Sequence, residues 1–298
     1  MLVDTESILL IVLIVLIIGL IIVAVFARSK TKERTMKDNF NARSIKSKRL
    51  ASKIGVVMLN ASLIWPNINM LEHGSERAEQ IAKWIRSRLP EEGVSFVLLQ
   101  EAFVPQWTEL IYNAFKEIGW SYTVPVRGNI ASSGLVCATP FKISKKIVKQ
   151  FKLCSGPCCL ANKGFVSILC AGTLVCNVHL QDGDFDESFN IRSKQMSEVL
   201  DTVSSVKARN VLIAGDFNTS AKRMRLFLMR YPQFKISCVE EDDIDYVVYS
   251  GFEAPTTFYH EDIGDVSDHK AVMSILEHSS DRECRRKSAS RQIDRAKL

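Results

Sequence analysis

The sequence lacks several features that would fix its class at once. No segment repeats, and Cys154, Cys158 and Cys159 have no second Cys/His pair at zinc-finger spacing, which argues against a structural zinc site. Strands and helices do not alternate strictly, which excludes a Rossmann-type sheet. Positive charge is missing from the centre of the chain. Residues 27–50 hold nine Lys or Arg against two acids, and residues 281–298 hold seven against three, so residues 51–280 carry a net −3 within a total of +6. A nuclease that grips a long duplex usually shows a basic face, and here the basic character lies in the tails. No basic residue precedes the first apolar run, whose flank is acidic (Asp4, Glu6).

That run, residues 8–26, holds nineteen residues without a charge or a proline. A bilayer core about 30 Å thick needs roughly 20 apolar residues in a helix. A cleaved signal peptide would have a basic start and a shorter apolar core. The expectation is an uncleaved transmembrane anchor, with a buried core helix as the bland alternative. Arg28, Lys30, Lys32, Arg34 and Lys37 follow it, so the positive-inside rule predicts a single-pass membrane protein with its C-terminal bulk in the cytoplasm. The basic linker 27–50 reads equally as solvated linker and as a strip held against anionic lipid. Residues 281–298 read as a basic disordered tail. The 51–280 segment suits one α/β domain. A cytosolic domain would keep the eight cysteines reduced. Cys170 and Cys176 read as small core residues, and Cys154, Cys158 and Cys159 as surface thiols open to acylation.

Strand-like runs occur at 53–60, 95–100, 134–139, 164–170, 173–179, 210–215, 244–249 and 271–275. Helical periodicity appears at 76–89, 106–118, 191–206 and 221–230, with Ser75 as N-cap of the first and Pro90 closing it. This mixture suggests two packed sheets with outer helices.

Six of the strand ends carry polar residues: Asn60 after VVML, Glu101 after VLLQ, His179 after VCNV, Asp216 and Asn218 after VLIAG, Asp245 before YVVY, and Asp268 with His269 before AVMS. Taken alone, each has a dull reading. Asn60 suits a turn, Glu101 a helix start, His179 a loop, Asp216 a G-D-x-N turn, and Asp245 the solvated acidic run EEDDID. Together they supply carboxylates, amides and imidazoles at sheet mouths, which is equipment for a hard cation and an activated water beside a phosphate.

The ordered set LN, LQE, NVHLQ, GDFN, IDYVV and SDHKAV resembles the endonuclease/exonuclease/phosphatase superfamily over residues 53–276. The segment ANKGFV (161–166), with NVHLQ and with Arg192 and Gln195 downstream, resembles its neutral sphingomyelinase branch. Asn162-Lys163-Gly164 also suits an ordinary hairpin turn. The inositol 5-phosphatase signature is not matched, because Thr219-Ser220 follows GDFN.

The resemblance implies a four-layered αββα sandwich behind the N-terminal helix, and Mg2+ as cofactor with Mn2+ as a substitute. It implies Glu101 as principal metal ligand, with Asn60 and Asp268. His269 is implied as general base oriented by Asp245, and Asp216 as positioning the water. Asn218 and His179 would hold phosphate oxygens, with Lys163 adding charge there. The implied reaction releases phosphocholine from a membrane lipid. A quaternary ammonium favours an aromatic face, for which Trp65, Trp107 and Trp120 are available, although each suits packing better. The competing readings are a Mg2+-dependent endonuclease or abasic-site nuclease, and an inactive membrane-tethered binding protein. The second is disfavoured because every expected polar position is filled.

Overall fold

A strand covered on both faces must be apolar along its whole length, and the central runs of this chain meet that demand. The computed structural model describes residues 38–40, 53–64, 71–90, 93–126, 131–183, 186–263 and 266–278. Among them, β1 (Lys53–Leu63), β2 (Val94–Ala102), β3 (Ser121–Tyr122), β4 (Val136–Thr139), β11 (Thr256–Tyr259) and β12 (Val272–Glu277) form one sheet in the order β11-β12-β1-β2-β4-β3. The strands β5 (Lys145–Gln150), β6 (Gly164–Cys170), β7 (Thr173–His179), β8 (Asn210–Asp216), β9 (Lys235–Ser237) and β10 (Asp245–Ser250) form the other, in the order β5-β6-β7-β8-β10-β9. Each sheet is mixed: β1 and β2 are parallel, as are β7 and β8, and the remaining pairs are antiparallel.

Among the described residues, four α-helices cover the outer faces: α1 (Leu71–Ser87), α2 (Pro105–Glu117), α3 (Asp186–Ser204) and α4 (Ala221–Leu228). Three apolar clusters match the resulting layers. Ile81, Ile85, Ile111 and Phe115 pack the first two helices on the first sheet. Met196, Leu200, Met224 and Leu228 pack the other two on the second. Val56, Met58, Leu98, Ile168, Val175 and Leu212 fill the space between sheets. Periodicity 2 explains the division: Val57 and Leu59 face the helices while Val56 and Met58 face the opposite sheet. The αββα sandwich is therefore present.

Several expectations are corrected. The helix around Ser75 begins earlier, at Leu71, so Ser75 lies inside it and does not cap it. At Gly74, inside the helix, a side chain would run into the Trp107 ring. The glycine is where α1 closes on α2, and that contact overrides local propensity. Cys154 and Cys159 form a disulfide and are not free thiols; Cys158 between them is buried. A fully reduced set is thus not what the fold contains. The stretch 27–50 is not all solvated: Asn39 pairs with Tyr122, and Asp38 accepts from Val124 N at 2.7 Å and from Lys146.

The expected single-pass membrane placement is also corrected. Among the described residues no helix is long and apolar enough to cross a membrane. The run 8–26 that carried the expectation lies outside the described residues, as do the tail 281–298 and Trp65. Trp107 and Trp120 are core residues. Cys170 and Cys176 are buried as expected.

Candidate active site

Topology brings the polar strand ends to one end of the sandwich. In the second sheet, His179 closes β7 directly opposite Asp216 on the parallel β8, and Asp216 faces Asp245 at the start of the antiparallel β10. Three chemistry-bearing side chains therefore share one register row. In the first sheet, Asn60 of β1 lies beside Gln100 of β2, with Glu101 one residue on. The loop before β12 completes the ring: Ser267 Oγ donates to Asn60 O at 2.6 Å, and His269 N donates back to Ser267 Oγ at 3.2 Å.

The two sheets meet through hydrogen bonds at this mouth. Asn60 Nδ2 donates to Asp216 Oδ2 at 3.2 Å, and Asn60 Oδ1 accepts from Ser62 N at 3.1 Å. One layer deeper, Gln100 Nε2 donates to Asn177 Oδ1 at 2.7 Å, and Asn177 Nδ2 donates to Leu99 O and Val136 O. This buried amide pair staples β7 to β2 and β4 just beneath the mouth.

Local backbone geometry is specialised where function is expected. Glu101, Asn218 and Ser62 adopt φ of 54°, 49° and 47°. Such left-handed non-glycine residues persist where their surroundings over-determine them, and they cluster at functional sites. Asn218 is held by Asp216 Oδ1, which accepts from Asn218 N at 2.8 Å. Gly215 has φ 138°, and a side chain there would strike Val178 O, so the residue before Asp216 must be glycine.

Lys163 enters from the loop before β6. It is buried, and Nζ donates to Leu180 O at 2.9 Å and to His179 Nε2 at 2.8 Å. With Nε2 accepting, the proton of His179 lies on Nδ1, which has no partner among the described residues. Burial, and then the Lys163 charge, hold His179 well below the usual imidazole range, so the ring is neutral. Leu180 O also accepts from Asn218 Nδ2 at 3.2 Å. The loop after His179 is fixed by the residues already singled out in α3. Arg192 Nη1 donates to Gln181 O and Gly183 O, and Gln195 Oε1 accepts from Gln181 N.

His269 Nδ1 lies 2.5 Å from Asp245 Oδ2. This hydrogen bond, partly opposed by burial, raises the His269 pKa to about 9. Burial pushes Asp216 up to about 7, with the Asp245 charge adding to it. Glu101 is raised by burial, opposed by its hydrogen bond from Asn60 and by Lys163, with Asp216 and Asp268 adding repulsion. Asp268 is desolvated too, yet hydrogen bonds from Ser267 and Ser62 leave it lowered.

Glu101 is thus repelled by both Asp216 and Asp268, with Lys163 opposing, while His269 and Lys163 oppose the charge on Asp216. That excess of negative oxygen fits a hard divalent cation. Asp216, Asp245 and His269 also place ligand atoms within 4.8 Å of one another. The structure therefore gathers Asn60, Glu101, Lys163, His179, Asp216, Asn218, Asp245, Asp268 and His269. Sequence reasoning missed Ser62, Ser267 and the Gln100–Asn177 pair. Three of these four lie inside the quoted motifs, where the larger polar neighbours drew the attention.

No protein-family model matches the chain, and no curated protein matches it. Solved structures do. SmcL is similar at 18% identity and TM-score 0.63, covering 76% of this chain and 99% of that one. Sphingomyelinase C from Streptomyces griseocarneus is similar at 18% identity and TM-score 0.54, covering 74% and 99%. A mutant beta toxin from Staphylococcus aureus, with bound magnesium ions, is similar at 20% identity and TM-score 0.54, covering 74% and 99%. The likeness is one of fold: this chain shares the sandwich architecture of solved sphingomyelinase and endonuclease/exonuclease/phosphatase structures.

Proposed function

We propose that the chain is a Mg2+-dependent phosphodiesterase, able to use Mn2+, that cleaves phosphocholine from a sphingomyelin-like lipid. The observation that carries the reading is the seat of Lys163. The NKGF segment delivers its ammonium onto His179 and the Leu180 carbonyl, inside the carboxylate ring. Glu101, Asn60 and Asp268 would hold the metal, which supplies charge neutralisation at the phosphoryl oxygens.

The chain's own groups supply the rest. Asp245 accepts from His269 Nδ1, which fixes the ring and leaves Nε2 to take a proton from water. Asp216, held by Asn60 and by the Asn218 backbone, positions that water. His179 sits behind Lys163 and holds it, while Lys163 and Asn218 face the phosphate oxygens. The water oxygen bonds to phosphorus as His269 Nε2 takes its proton, the bond from phosphorus to the lipid oxygen breaks, that oxygen takes up a proton from solvent and stays with the lipid as an alcohol, and phosphocholine is released. The net −3 of residues 51–280 favours lipid over a long nucleic acid.

The test is a headgroup-release screen with Mg2+ and with chelator across sphingomyelin, lysophospholipids, phosphoinositides and duplex DNA. Phosphocholine release that stops with chelator supports the reading. Efficient DNA nicking without lipid cleavage replaces it with the nuclease reading.

A further inference from the structure

The helical layer on the second sheet carries a surface that the catalytic chemistry does not use. α4 buries Ala221, Met224 and Leu228. Its other side leaves Leu226 68% exposed, and Met229 just beyond it is 76% exposed. Of the large apolar side chains among the described residues, these two are the most exposed. Cations accompany them. Phe189 and Lys194 of α3, with Arg223, Leu226, Phe227 and Arg230, line a groove of about 810 Å3 between the helices. The Arg223 guanidinium stands 5.5 Å from the Phe189 ring. No Asp or Glu lines the groove. Arg225, on the adjoining flank, is instead tied to Glu241 at 3.0 and 3.1 Å.

We propose that this groove and the Leu226–Met229 edge dock the protein on a bilayer that contains anionic lipid. Cations interleaved with exposed aliphatic side chains are the pattern of an interfacial helix. A nucleic-acid backbone would use the cations and leave Leu226 and Met229 wet. A bilayer surface uses both, the cations at the headgroups and the aliphatic groups at the acyl boundary. α3 follows closely on His179 and α4 on Asn218, so both helices start at the mouth; Phe189 and Arg223 mark the near end of the groove, and Leu226 and Met229 its far end. The docking deepens the lipid reading above and rests on it for its use, while the binding event itself is separable.

The experiment uses the full chain with phosphatidylcholine vesicles, with and without phosphatidylserine, and reads hydrogen exchange in residues 186–194 and 221–230. This readout reports the surface itself, whatever other segments bind. Protection in both segments is expected with phosphatidylserine only, and it should fade with salt. Each near-surface cation contributes about fivefold to such binding. K194Q/R223Q/R230Q should therefore need about a hundredfold more lipid for equal protection. L226Q/M229Q should lose protection while the charges remain. Both variants should keep the wild-type melting temperature and the wild-type rate on soluble bis(p-nitrophenyl) phosphate. The proposal is overturned by absent protection with anionic vesicles, by unchanged protection in the variants, by equal protection with duplex DNA, or by protection that follows protein concentration without lipid. Protection without lipid hydrolysis keeps the docking and removes the substrate assignment. Cleavage of lipid in detergent micelles without protection does the reverse.

Discussion

Lys163 Nζ lies 2.8 Å from His179 Nε2, and it is the cation that opposes the charge on Glu101. The pairing assigns His179 a supporting part: a neutral ring that accepts from Lys163 and so aims the ammonium. Lys163→Met should lower kcat by about 10²–10³-fold, the usual loss for one preorganised electrostatic donor. It should also raise the His179 pKa, because the Lys163 charge is among the causes that depress it. Imidazole titration by NMR in the two proteins checks this. An unchanged His179 titration with a full-rate K163M would remove Lys163 from the site.

On the proposed mechanism the Asp245–His269 pair sets the pH profile. Asp245 raises His269 to about 9, so below that pH the ring is mostly protonated and cannot accept a proton. The rate should climb with pH through the neutral range toward 9. Asp245→Asn removes the carboxylate, so the His269 pKa should drop toward its ordinary value and the rising limb should move to lower pH. The plateau should fall by about 10–10²-fold, less than the 10²–10⁴-fold typical for losing a general base outright. A pH–rate series on both proteins reads the two effects separately.

Gly215 is a stability prediction. Its φ of 138° and the approach of Val178 O leave no room for a side chain. Gly215→Ala should cost roughly 2–5 kcal/mol, lowering Tm by about 2–4 °C per kcal/mol. Thermal unfolding followed by circular dichroism measures it. A melting temperature within a degree or so of the wild type would mean that the β7–β8 spacing yields easily.

The sequence made the centre of the fold legible and hid its margins, for a physical reason. Strands such as β1 and β8 are covered on both faces and read as unbroken apolar runs. The four unforeseen strands, β3, β5, β9 and β11, are the outermost strands of the two sheets. β5 has one neighbour and a wet side, so KKIVKQ looks like loop, while β3, at two residues, is too short to leave a pattern. The start of α1 was obscured because Gly74 serves a tertiary contact with Trp107 that no local pattern encodes. At the site, residues at strand mouths stood out because a charge ending an apolar run is conspicuous. Ser62, near the end of β1, and Ser267, in a loop, did not, since a small neutral serine is unremarkable until its hydrogen bonds are seen. The Cys154–Cys159 pairing was hidden because spacing alone does not choose between bonded and free thiols.

In the proposed function Glu101 would hold a metal and His269 would move a proton, in the hydrolysis of a phosphocholine lipid. The direct measurement is initial rate of phosphocholine release against Mg2+ concentration for wild type, Glu101→Gln and His269→Ala, each first shown to be folded. Glu101→Gln should be steeply impaired at low Mg2+ and recover in part at high Mg2+, because concentration offsets weaker binding. His269→Ala should lose about 10²–10⁴-fold at every Mg2+ concentration. Near-normal rates for His269→Ala, or rescue of His269→Ala by metal while Glu101→Gln stays inactive, would contradict the account.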